Sequence, residues 1–83
     1  MTKHLKQPHV REVLAWNVQS IRLELGLSQE KLGELAGFHR TYVSQVERRV
    51  TNITADNLQR LADVLSVPVA RLFQLPPSDL RKT

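Results

Sequence analysis

Four side chains within a six-residue stretch, Arg40, Thr41, Ser44 and Gln45, have the chemistry that reads the edges of nucleic-acid bases. A guanidinium bonds guanine bidentately, a carboxamide does the same with adenine, a threonine methyl meets the thymine methyl, and a serine hydroxyl pairs with either kind of partner. On a helix these four share one side, while Val43 and Val46 take the other. By itself such a set is more often an ordinary solvated helix face, so its surroundings must decide. Other chemistries find less support. His4 and His9 fall in what reads as a tail, His39 stands alone before a helix, and there is no cysteine, so neither a metal triad nor a nucleophile with its base is visible. No enzyme, metal or cofactor is expected.

The chain that must position these residues has 83 of them, enough for one modest core and too few for a second, effector-binding domain. The apolar fraction is 41%, with one Trp, one Tyr and two Phe, so the core must be aliphatic. Twelve Lys and Arg against eight Asp and Glu leave a net charge of +4, which suits a polyanionic partner without requiring one. No run approaches the roughly 20 apolar residues of a membrane span, and the N-terminus lacks a signal-peptide pattern, so a cytoplasmic protein without a membrane partner is expected.

Residues 1–9 lack apolar periodicity and read as a flexible tail, as do residues 76–83 after Pro76 and Pro77. Between them lies one domain, 10–75. Apolar residues at three- and four-residue steps predict a helix from Val10 to Leu25, with Val10, Val13, Leu14, Val18, Ile21 and Leu25 inward and Gly26 ending it. Ser28 is placed to cap a second helix over Gln29–Ala36 with Leu32, Leu35 and Ala36 inward. Gly37 makes the turn into a third, Arg40–Glu47. Thr54 caps a fourth, Ala55–Leu65, whose Leu58, Leu61, Ala62 and Leu65 face the core while Asp56, Gln59, Arg60 and Asp63 face water. Pro68 suits the first turn of a short fifth helix reaching Phe73. No strand pattern appears, so the fold should be all-α.

The stretch Leu27–Glu47, LSQEKLGELAGFHRTYVSQVE, resembles the lambda-repressor-like, Cro-type (XRE) helix-turn-helix regulators. The resemblance rests on the Ser-Gln opening, Leu-x-x-Leu-Ala-Gly into the turn and Val-x-x-Val-Glu closing the next helix. It continues through Val67–Phe73. It implies a compact five-helix DNA-binding domain whose helices two and three form the motif, the third lying in the major groove of an operator. On that reading Arg40, Thr41, Ser44 and Gln45 contact bases, while Gln29, His39, Tyr42, Arg48, Arg49 and Asn52 contact phosphates and fix the docking. Family members similarly pair an arginine of helix one with a glutamate ending helix three, here Arg22 and Glu47, a structural ion pair. The string His39-Arg40-Thr41-Tyr42-Val43-Ser44 is similar to that of restriction-modification controller proteins. One departure stands out: members commonly have Gly after the Glu-Arg pair and Arg before the Asn, where this chain has Arg49 and Thr51.

Regulators of this kind bind as two-fold dimers to half-sites about 34 Å apart. Val67, Val69, Leu72, Phe73 and Leu75 supply more apolar surface than one buried face of a short helix needs, and are the expected homodimer interface. Trp16 falls off the main stripe of helix one and has no assigned role. The implied function is transcriptional regulation on a (pseudo)palindromic operator, as repressor or activator, with RNA polymerase as a further partner in the activating case. The alternative is a protein-interaction module of the antitoxin type, whose partner is another protein.

Overall fold

The computed structural model describes residues 8–77. The expected tails therefore lie outside the described residues except at 8–9 and 76–77. There the chain belongs to the domain: His9 caps the first helix, its Nδ1 accepting from the Arg11 amide at 3.1 Å, and Pro76 is buried.

Four α-helices follow in order, α1 Val10–Glu24, α2 Gln29–Ala36, α3 Arg40–Glu47 and α4 Ala55–Leu65, then a 3-10 segment, Val69–Phe73. There is no strand among the described residues. None of the helices is long and apolar enough to cross a membrane. Polar side chains cap all four, His9 as above and three more. Ser28 accepts from Lys31 N at 2.9 Å, His39 from Thr41 N at 3.1 Å, and Thr54 from Asn57 N at 3.1 Å, each satisfying an amide that the first turn leaves open.

The core joins Leu14, Val18 and Ile21 of α1 to Leu32, Val43, Val46, Leu61, Leu65 and Leu72. Three residues expected inside are about half exposed: Val10, Leu25 and Leu35. Val10 is the first helical residue and Leu25 the C-cap, so both overhang the ends of α1. Leu35 misses for an angular reason. The buried stripe of α2 is Leu32, Gly33 and Ala36, and at 3.6 residues per turn Leu35 lies about 100° from its centre. Gly33 belongs to that stripe because a Cβ there would stand 2.7 Å from the Phe38 carbonyl oxygen. Gly37 follows with φ 80°, the left-handed ending that turns α2 into α3.

The expected fifth helix is a 3-10 turn, preceded by Pro68 in extended conformation rather than begun by it. Its bonds run from Arg71 N to Pro68 O and from Gln74 N to Arg71 O, at 2.9 and 3.3 Å. Continuation as an α-helix fails because Pro76 and Pro77 have no N–H for the carbonyls of Leu72 and Phe73. Asn17 of α1, only 3% exposed, supplies the missing donor: its Nδ2 bonds Leu72 O at 2.8 Å and Gln74 O at 2.7 Å, while its Oδ1 accepts from Arg71 Nη1 at 3.0 Å. The 3-10 segment is thus tied to α1 by polar contacts as well as by the buried Leu72.

Candidate nucleic-acid interface

α3 divides cleanly. Val43 and Val46 are buried, whereas Arg40 and Thr41 are exposed and Ser44 and Gln45 half-exposed on the other side. Gln29, the first residue of α2, joins Arg40, Thr41 and Ser44 around an open cleft of about 280 Å³. Three of the four expected base readers therefore meet one of the expected phosphate contacts across the helix-turn-helix, and Gln45 stands further round α3.

Glu47 fixes this face to the scaffold. Its carboxylate receives Arg22 Nε at 2.6 Å and Nη2 at 3.0 Å, a bidentate pair, and Gln29 Nε2 at 3.0 Å. The Arg22 and Glu47 side chains are 9% and 3% exposed, and Arg22 Nη1 also donates to Leu27 O at 2.8 Å. One carboxylate at the end of α3 thus gathers α1 and the start of α2. With one amide hydrogen given to Glu47, Gln29 retains a second N–H and its carbonyl oxygen for an external partner.

Tyr42 lies on the flank towards α4. Its ring packs against Phe38 with centroids 4.8 Å apart, and its hydroxyl accepts from Asn57 Nδ2 at 3.1 Å, so the O–H remains able to donate. His39 uses Nδ1 as the α3 cap and is exposed. Arg48 reaches back to Ser44 Oγ, 3.3 Å from Nε. Arg49 and Asn52 sit in the loop after α3 and turn to α1: Arg49 Nη1 is 3.5 Å from Glu12 Oε2, and Asn52 Oδ1 accepts from Arg11. Among the described residues no three His, Asp or Glu side chains gather to hold a metal.

Of the five residues expected at a dimer interface, Leu72 is fully buried within its own subunit and has no surface to offer a partner. Val67 and Val69 are half-buried against the same core. Phe73 and Leu75 are 44% and 55% exposed. Trp16 is half-buried.

Sequence reading passed over three residues that tie separate elements together. Arg60, exposed as expected, also bends onto the α2–α3 turn, donating from Nε to Ala36 O at 3.1 Å and from Nη2 to Gly37 O at 3.2 Å, with its guanidinium 4.4 Å from the Phe38 ring centre. A cation there meets the negative end of α2. Asn17 had a signal, a polar residue in register with Leu14 and Ile21 on the buried stripe. Arg11 had none, since its partner Asn52 lies 41 residues away.

A family model described as helix-turn-helix, HTH_3, matches residues 18–72. The chain is 46% identical over 64 residues to control protein C.SmaI of Serratia marcescens, a match spanning 77% of this chain and 76% of that one. Its backbone is similar to the crystal structure of the hypothetical transcription factor NHTF from Neisseria, with a TM-score of 0.79 and 36% identity over 99% of this chain and 98% of that one. The restriction-modification controller protein C.AhdI from Aeromonas hydrophila gives 0.74 and 35% identity, over 76% and 96% of the two chains.

Proposed function

The chain belongs to the HTH_3 helix-turn-helix family, and on that premise we propose that it is a transcriptional regulator that binds a (pseudo)palindromic duplex operator as a homodimer. The similarity to C.SmaI and C.AhdI extends the proposal to a controller of restriction-modification genes, acting in the cytoplasm. The family is one of DNA-binding regulators rather than of enzymes.

The observation that carries the reading is the assembly of Gln29, Arg40, Thr41 and Ser44 on the open face of a helix whose other face is fixed in the core. With the N-terminal half of α3 in the major groove, Arg40, Thr41, Ser44 and Gln45 face base edges. Gln29, at the start of α2, Tyr42 from its flank, His39 through Nε2, and Arg48, Arg49 and Asn52 beyond the end of α3 then meet phosphates on either side. Rigidity favours this: the Glu47 network and the Arg60 clamp hold the reading face in one geometry before DNA arrives, so little ordering entropy is spent on binding.

One recognition helix covers only a few base pairs, and two copies of this chain reading half-sites one helical turn apart give a usable site. Phe73 and Leu75 are the exposed apolar side chains next to the last helical turn and form the self-complementary patch, with the outer edges of Val67 and Val69. RNA polymerase enters as a partner where the operator lies upstream of a promoter.

Selection of sites from random duplex DNA tests the proposal, with wild type and Arg40→Ala compared on the winning sequence. An inverted repeat is expected, and Arg40→Ala should lose about 1–3 kcal/mol on it, with relaxed preference at one base pair. Random DNA should be bound nearly as well as before. Failure to enrich any sequence, or equal losses on selected and random DNA, refutes the role given to α3.

A further inference from the structure

All four α-helices end in the same way, the first two with a glycine and the third and fourth with Arg49 and Ser66, residues less suited to it. The residue after the last helical turn is left-handed in each: Gly26 at φ 72°, Gly37 at 80°, Arg49 at 65° and Ser66 at 61°. After α3 the amide of Val50 bonds Gln45 O at 3.0 Å and that of Arg49 bonds Val46 O at 3.1 Å, the paired bonds of a Schellman ending. Glycine takes this conformation freely and an arginine does not. An unsuited residue at a strained position beside a reading helix raises the question of what its side chain does.

The Arg49 guanidinium meets the carboxylate of Glu12, in the first turn of α1, with Nη1 3.5 Å from Oε2. Arg11, next to Glu12, donates to Asn52, three residues beyond Arg49, so two contacts join the same two segments. The Arg49 and Glu12 side chains are 59% and 41% exposed, so water and ions reach the pair and it can open without disturbing the core. Arg48, one residue before Arg49, is bonded to Ser44 of the reading face. On the DNA-binding reading Arg49, in the loop that leaves α3, is one of the phosphate contacts, and Glu12 sets a negative charge beside its guanidinium.

We propose that Glu12 is an internal competitor of DNA for Arg49. In the free protein the carboxylate holds the guanidinium; in the complex Arg49 exchanges it for a phosphate, and the cost of that exchange lowers affinity for duplex DNA of any sequence. The inference rests on the DNA-binding reading above and adds to it a residue that weakens binding. An exposed pair of this kind shifts an equilibrium by about 1.5- to 5-fold.

The test is a double-mutant cycle of Glu12→Gln and Arg49→Gly, with affinity for a random-sequence duplex measured as a function of salt. Glycine is chosen because it adopts φ 65° without strain, so loss of the side chain is not confused with loss of fold, and thermal melts of each variant check this. Glu12→Gln should tighten binding by about 1.5- to 5-fold at low salt. Arg49→Gly should weaken it and reduce the slope of log K against log salt by about 0.9, the signature of one lost phosphate contact. In the Arg49→Gly background Glu12→Gln should change little. Equal tightening with and without Arg49 overturns the proposal, because Glu12 would then act as a simple charge near DNA. No tightening in the wild-type background overturns it as well. Absence of duplex binding by every form, wild type included, overturns the DNA-binding reading and this inference with it.

Discussion

Replacing Glu47 with alanine removes the acceptor on which Arg22 Nε, Arg22 Nη2 and Gln29 Nε2 converge. The Arg22 side chain is 9% exposed, and after the change its guanidinium retains one protein acceptor from the present set, Leu27 O. A cation so placed keeps its desolvation cost and loses the charge that offset it. Removing one partner of a buried pair costs about 3–5 kcal/mol, against at most about 1 kcal/mol for an exposed one. Small domains are stable by only about 5–15 kcal/mol, so Glu47→Ala should bring this one towards the edge of unfolding in buffer. The assay is urea denaturation followed by fluorescence of Trp16, the only tryptophan. Two controls tie the loss to its cause. It should persist in 1 M salt, where an exposed pair would be screened. The double change Arg22→Met with Glu47→Leu should recover most of it, because no unpaired buried charge remains. A loss below about 1 kcal/mol, or one that disappears in high salt, would show that the pair behaves as a surface contact and refute the scaffold role given to it.

Arg60→Ala should cost about 1–2 kcal/mol, from the lost contact with the Phe38 ring and the bonds to Ala36 O and Gly37 O, and should be seen in the same denaturation experiment. Hydrogen exchange should then speed up at the α2–α3 turn before it does in α1; unchanged exchange there would show that the turn holds without the clamp. Asn17→Ala leaves the Leu72 carbonyl without its side-chain donor and should cost about 1–3 kcal/mol. Because that carbonyl belongs to the segment carrying Phe73, the self-association proposed above, measured by sedimentation, should weaken with it, and unchanged self-association would separate Asn17 from the proposed interface.

The α-helices and their caps were legible because each depends on residues within a turn or so of one another. The spacing of Val13, Leu14, Val18 and Ile21 reports one buried face, and Ser28 and Thr54 lie three residues from the amides they satisfy. The division of α3 into two faces was legible for the same reason, since Arg40, Thr41 and Ser44 and the opposed Val43 and Val46 occupy two sides of one short helix. Periodicity fails where an element overhangs its neighbours or is too short to average, as at Val10, Leu25 and Leu35. The fifth helix, expected from Pro68 and from the resemblance, is a 3-10 turn, and Pro76 and Pro77 carry the reason.

By itself, then, the sequence determined which segments coil, which faces are apolar and which side chains stand on the exposed side of α3, because these are set by local geometry and by the tendency of apolar surface to leave water. Only the tertiary structure decided that Asn17 closes the Leu72 carbonyl 55 residues away, that Arg60 reaches the α2 terminus 24 residues back, and that Arg49 turns to Glu12. Those contacts depend on how the helices cross. The approach of one helix to another is settled by the packing of all of them together, which no periodicity within one segment encodes.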